Sequence, residues 1–182
     1  NGWRIEAFCL MSNDESRGLM QKGVFWLWLS AIVVVLDQWT KSIASASLDM
    51  YVPNKVNEFL NWTLMHNKGV AFSFLADQSG WQRWFLSALA IVIVMWLLVW
   101  MYQNSRQMKL QNISLALVVG GAIGNVYDRL LLGHVVDFIE VHYNDNFWPA
   151  FNVADSAICM GAVLLIIDAF VNKHESANDE KA

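Results

Sequence analysis

Charge is what this sequence lacks most. Only 15% of its 182 residues are Asp, Glu, Lys or Arg, against about 25% in ordinary soluble domains. With 56% hydrophobic residues and a mean hydropathy of +0.34, the shortage excludes a disordered chain, which needs low hydrophobicity and high charge. Basic excess is missing too. Lys and Arg number 12 against 16 Asp and Glu, for a formal net charge of −4 and a pI of about 5.5, which argues against a nucleic-acid partner. Cysteine is scarce: Cys9 and Cys159 are too few for a disulfide framework. No Ser sits in a nucleophile elbow and there is no HExxH. What abounds is aromatic, with ten Trp and ten Phe, residues that gather at membrane interfaces.

A helical membrane span needs about 20 predominantly apolar residues, and four such runs are present. The first, 24–44, is free of charge until Asp37 and Lys41 near its end. The second, 84–102, has no charged residue. The third, 113–132, is apolar until Asn125, Asp128 and Arg129. The fourth, 151–171, carries Asp155 near its start and Asp168 near its end. A buried helix of a soluble protein can be apolar all round, but four of them would leave too little amphipathic chain to cover them. The expected fold is a membrane all-α, four-transmembrane-helix bundle, one integral domain over residues 22–172. Residues 1–21 are expected to stand outside the fold as an N-terminal extension, with Met11 and Met20 as possible starts, and residues 173–182 to form a polar, frayed tail.

Lys and Arg near the span ends set the orientation. Arg17, Lys22, Arg106, Lys109, Lys173 and Lys181 fall on one side; Lys41, Lys55, Lys68, Arg83 and Arg129 fall on the other. Lys41 and Arg129 sit beside acids inside spans and can be paired instead. Both termini and the connection 103–112 are therefore expected in the cytoplasm, with 45–83 and 133–150 outside. Residues 58–66 are rich in aromatic and β-prone side chains, a turn signal follows at Asn67-Lys-Gly69, and apolar character resumes over 70–74. A small strand-rich outer element between the first two helices is expected there.

Ionisable groups within spans mark candidate functional sites. Asp37 and Lys41, four apart, share a helix face and can pair to anchor the span end. Gly120 and Gly124 form a small-xxx-small spacing that admits a close neighbouring helix. Asn125 can hydrogen-bond across helices, and Asp128 and Arg129 can fix the helix end. Asp137 is embedded in Val135-Val-Asp-Phe-Ile139, apolar surroundings that favour its protonated form; Glu140 is expected to be solvated. Asn152 and Asp155 have the spacing of a capping box, and an acid in a first helical turn needs no chemistry to explain it.

Asp137 and Asp155 flank one short outer segment, so a hairpin return can bring them together. One has apolar neighbours and the other helix-terminal N–H groups. Two carboxylates in contrasting environments are the requirement for an acid/base dyad. His134 and His142 with Asp137 match no compact metal-ligand spacing, Cys159 reads as packing, and His66 reads as a loop histidine. Three functions remain open on residues alone. One is a dyad peptidase. Another is a small transporter or proton relay using Asp37, Asp128, Asp137 and Asp155. The last is a scaffold with the aspartates as caps. The polar cluster is one-sided, Asp168 excepted, which favours the first.

Five short motifs in order carry a resemblance: Asp37-Gln-Trp-Thr-Lys41, the run from Asn67 to Leu75, the run from Gly121 to Arg129, Val135-Val-Asp-Phe-Ile139 and Phe151-Asn-Val-Ala-Asp155. Over about residues 24–171 the chain resembles lipoprotein signal peptidase (signal peptidase II), a family of bacterial intramembrane aspartic proteases. The resemblance implies a catalytic dyad of Asp137 and Asp155. Asn67, Asn125, Arg129 and Asn152 would line or support the site, and Asp37, Lys41 and Asp128 would be structural polar positions. His66 stands where the family often has Arg. The implied substrate is a prolipoprotein bearing diacylglyceryl on its lipobox cysteine, cut just before that cysteine. The resemblance further implies no metal or organic cofactor, inhibition by globomycin-type cyclic peptides, and contact with membrane lipids. It also implies a monomer in the bacterial inner membrane with its site near the periplasmic face.

Overall fold

The apolar runs become helices of the length a bilayer requires. The computed structural model describes residues 18–69 and 80–179, with side chains through residue 171. A short 3-10 turn, Gly23–Trp26, leads into α1 (Leu27–Ser47). Then follow α2 (Trp81–Gln103), α3 (Lys109–Leu131) and α4 (Val153–Asp179). All four are long and apolar enough to cross a membrane.

Two ends differ from expectation. α3 begins at Lys109 rather than near residue 113, because its polar first turn is satisfied internally. Buried Asn112 donates to the Ser105 carbonyl at 2.8 Å and accepts from Asn104 at 3.0 Å. α4 continues to Asp179, so most of the tail expected to fray has helical backbone; extending a formed helix adds one bond for each residue fixed.

α3 has the lowest mean hydropathy of the four spans and is the most buried. It is the central helix, packed against α1, α2 and α4. Small residues permit this. A Cβ at Gly120 would lie 2.8 Å from the Ser30 carbonyl oxygen, and one at Gly124 would lie 2.6 Å from Asp37 Oδ2. The small-xxx-small pair therefore faces α1, while Gly121 abuts the Ala154 carbonyl of α4. Val94, Leu97 and Met101 of α2 close on Leu115, Ala116 and Val119 of α3 as the apolar core. Exposed Ile91, Val92, Met95, Trp96 and Val99 cover α2's outer side, a surface suited to lipid.

The expected outer strand element exists, but the fourth span's approach joins it. Strands β1 (Asn54–Lys55), β2 (Leu60–Asn67), β3 (Val135–Tyr143) and β4 (Asn146–Phe147) form one antiparallel sheet in that order. His66, read from sequence as a loop residue, lies in β2. The segment 70–74 lies outside the described residues. Gly133, at φ +80°, turns the chain from α3 into β3. The β2–β3 register slips between Trp62 and Met65, a bulge of the kind that re-aims side chains beside functional sites.

Candidate active site

β3 and the start of α4 are stitched together by backbone. Phe138 and Ile139 donate to the Phe151 carbonyl at 3.1 and 2.9 Å, and Phe151 donates back to Ile139 at 3.0 Å. This bridge holds Asp137 beside the first turn of α4. Asn152 caps that turn: its Oδ1 accepts from the Asp155 N–H at 2.9 Å, and Asp155 Oδ2 accepts from the Asn152 N–H at 3.3 Å. The capping box expected from spacing is formed.

The cap does more than end a helix. Asn152 Nδ2 also donates to Asp137 Oδ1 at 2.7 Å, so one residue holds both carboxylates. Asn67, two positions beyond the Met65 that pairs with Asp137, is its same-face diagonal neighbour and donates to Asp137 Oδ2 at 3.0 Å. Asn125 of α3 donates to Asp155 Oδ1 at 2.7 Å and accepts from Asn152 at 3.3 Å. Asp137 is 2% exposed, whereas Asp155 is half-buried. Burial, and then the negative charge of Asp155, push the Asp137 carboxyl up to about 7 against the opposing pull of the Asn67 and Asn152 amides.

A second acidic cluster lies just below. Lys41 bridges Asp37 and Asp128, at 2.8 Å to each, and reaches Asn125 Oδ1 at 3.1 Å. Asp37 Oδ1 also accepts from the Ala154 N–H at 2.9 Å, and Asp128 Oδ2 from the Val136 N–H at 3.2 Å. This cluster thus supports the same two elements that carry Asp137 and Asp155. Gln38, not singled out by the sequence, donates to Asp128 at 2.8 Å and to Asp37 at 3.1 Å; its place one residue after a buried acid was too weak a signal.

Some expectations need correcting. Asp128 pairs with Lys41 across helices rather than with its neighbour Arg129. Among the described residues no carboxylate lies within ion-pair distance of Arg129, which donates to the Asn125 carbonyl at 3.5 Å and lies in the field of Asp155, Asp137 and Asp128. Glu140 is not solvated: it is 6% exposed and accepts from Asn61 at 3.1 Å and Thr63 at 2.8 Å, two donors that only the β2–β3 pairing supplies. His66 stacks on His134 at 3.8 Å and His142 on Phe147 at 5.3 Å. Burial, and then His66, lower the affinity of His134 for a proton. Among the described residues no three His, Cys, Asp or Glu side chains gather as metal ligands. Cys159 is exposed on α4. A proton relay through four acids finds two of them, Asp37 and Asp128, ion-paired to the same Lys41.

Residues 29–171 match the family model described as signal peptidase (SPase) II. The chain is 48% identical over 164 residues to the lipoprotein signal peptidase of Acinetobacter baumannii (strain ATCC 17978), covering 88% of this chain and 93% of that protein. It is 53% identical over 150 residues to the lipoprotein signal peptidase of Pseudomonas putida (strain KT2440), covering 81% and 88%. A bacterial membrane enzyme solved by the in meso method at 2.3 Å resolution superposes with a TM-score of 0.73 at 30% identity, covering 85% of this chain and 94% of that one.

Proposed function

The chain belongs to the signal peptidase II family, and from that premise we propose that Asp137 and Asp155 are its catalytic dyad. The protein is an aspartic endopeptidase that removes signal peptides from prolipoproteins. The observation that carries the assignment is Asn152, whose side chain binds Asp137 and whose backbone N–H binds Asp155. A single rigid residue fixes the separation of two carboxylates, as a reaction that uses both at once requires.

The environments divide the labour. Asp137, buried and with its carboxyl pushed up to about 7, holds the shared proton. Asp155, half-buried and accepting from Asn125 and the Asn152 N–H, is the base. Asp155 takes a proton from a water, whose oxygen attacks the scissile carbonyl carbon. Asp137 donates its proton toward the carbonyl oxygen as negative charge develops there. Collapse of the tetrahedral intermediate breaks the C–N bond: the proton held by Asp155 passes to the leaving nitrogen, and as the C=O re-forms one hydroxyl proton returns to Asp137, restoring the dyad. The dyad titrates as a unit. Asn67, Asn125 and Asn152 position the carboxylates, and Arg129 brings positive charge to the site. No step is assigned to a metal or cofactor.

The substrate in this reading bears diacylglyceryl on its lipobox cysteine and is cut just before it. The acyl chains stay among membrane lipids while the peptide crosses the dyad, and the β2–β3 sheet forms a platform over it. Globomycin-type cyclic peptides compete for the same site. The enzyme acts as a monomer in the bacterial inner membrane, both termini cytoplasmic and the dyad near the periplasmic face. The test is cleavage of a lipidated lipobox peptide by purified protein. Asp137→Asn and Asp155→Asn should each lower turnover by about 10²–10⁴-fold or more while the protein stays folded. Near-normal turnover in either variant sinks the dyad.

A further inference from the structure

At the membrane face opposite the dyad, the chain entering α1 and the connection between α2 and α3 enclose a cleft of about 820 Å³. Its walls include Met20, Phe25, Trp26, Trp28, Arg106 and Lys109. We propose that this cleft binds the phosphate of an anionic phospholipid headgroup, a site separate from the peptidase chemistry and independent of the dyad assignment.

The walls are built rather than loosely apposed. The Arg106 N–H donates to the Gln21 carbonyl at 2.8 Å, Gly23 donates to Asn104 at 2.9 Å, and Lys22 bridges to Ser105. The Trp26 indole donates to the Arg106 carbonyl at 3.3 Å. The Arg106 guanidinium lies 3.7 Å over the Phe25 ring, which fixes its plane, and spends one donor on the Met20 carbonyl at 3.4 Å. The rest of its fork is available to a phosphate, the anion whose geometry it matches. Lys109 is exposed and opens α3. Met108 provides no side-chain cap there, so the helix dipole adds to the positive field. Among the described residues neither Arg106 nor Lys109 has an ion-pair partner. Buried Asp168, on the same half of α4, does not line the cleft.

A free phosphate would be drawn by the same charges, but the remaining wall favours a lipid. Trp28 is exposed on the first turn of a membrane-spanning helix, where indoles sit at headgroup level. Basic pockets beside span ends are the usual lipid-headgroup sites.

The full-length protein in detergent is titrated with phosphatidylglycerol, and bound lipid is counted by native mass spectrometry. Phosphatidylcholine with identical chains and inorganic phosphate form separate arms. Wild type should bind phosphatidylglycerol at one saturable site, hold phosphatidylcholine far less, and retain phosphatidylglycerol in millimolar phosphate. Arg106→Gln with Lys109→Gln should weaken phosphatidylglycerol on the order of 30-fold, at about 1 kcal/mol per charge. Lys109→Gln alone should weaken it about 5-fold; that side chain is exposed and has no ion-pair partner among the described residues, so this variant keeps the test decisive if the double one misfolds. Lys55→Gln, exposed on the other face, should have no effect. The proposal is overturned if Lys109→Gln binds like wild type. It also fails if Lys55→Gln weakens binding equally, which means diffuse attraction, or if inorganic phosphate displaces the lipid at comparable affinity.

Discussion

Two pairs of aspartates share one neighbourhood and differ in what lies between them. Asp37 and Asp128 flank an ammonium, Lys41, at 2.8 Å to each. Asp137 and Asp155 flank Asn152, whose side-chain amide donates to Asp137 at 2.7 Å and whose backbone N–H donates to Asp155 at 3.3 Å. The lysine supplies one positive charge between its two acids, and the three together act as a buried clasp between α1 and α3. Asn152 supplies hydrogen bonds but no charge, so burial and then the negative charge of Asp155 drive Asp137 toward its neutral form. Asn125 links the pairs, accepting from Lys41 and donating to Asp155. In the proposed reading, the choice between Lys and Asn at the centre separates a structural pair from the dyad.

The strongest way to break this contrast is to exchange readouts. Asn substitutions in the dyad should remove turnover without lowering the unfolding midpoint, whereas Lys41→Met should lower stability by about 3–5 kcal/mol, because it strands two buried carboxylates. Reversible denaturation in detergent measures the second. A Lys41→Met protein as stable as wild type would show that the clasp carries no strain-free compensation of charge.

The pH dependence sharpens the same contrast. The Asp137 carboxyl is raised from 3.8 to about 7. Below about pH 4 it is protonated folded and unfolded, and contributes nothing to the pH dependence. Between about pH 4 and 7 the unfolded chain loses this proton and the folded chain keeps it, so stability falls as pH rises. Above about 7 the loss is complete. Asp137→Asn lacks this term, so its melting temperature should gain on wild type as pH rises from 4 to 7. Turnover by wild type should decline on the alkaline side with an apparent pKa near 7, as the acid is lost.

A smaller effect tests how closely the clasp is packed. Gly124→Ala places a methyl 2.6 Å from Asp37 Oδ2 and should cost about 1–3 kcal/mol by overpacking, read as a lower denaturation midpoint. Smaller again is Glu140→Gln, which keeps an acceptor for Asn61 and Thr63 and should change stability by about 1 kcal/mol with turnover preserved.

Much of this was legible in the chain because it is local. Apolar runs at span length mark four helices, and the Asn152–Asp155 spacing marks the cap that opens α4. Asp137 stands out as a single acid within Val135-Val-Asp-Phe-Ile139. The β2–β3 register was not legible, since Met65 opposite Asp137 is a pairing across 72 residues and no local pattern encodes it. Glu140 was misread as solvated for the same reason, its two donors lying on the distant strand. Lys41 was expected to pair within its own helix, and does, but its second partner belongs to α3.

By itself the sequence determined that this protein lives in a membrane, with four spans and a cluster of intramembrane polar residues near one face. Bilayer thickness and the cost of burying charge act on composition alone. Only the tertiary structure decided which acids are paired to a lysine and which are held by an asparagine. That division depends on a single lysine and a single asparagine reaching across helices and strands, over distances set by the fold and not by spacing along the chain.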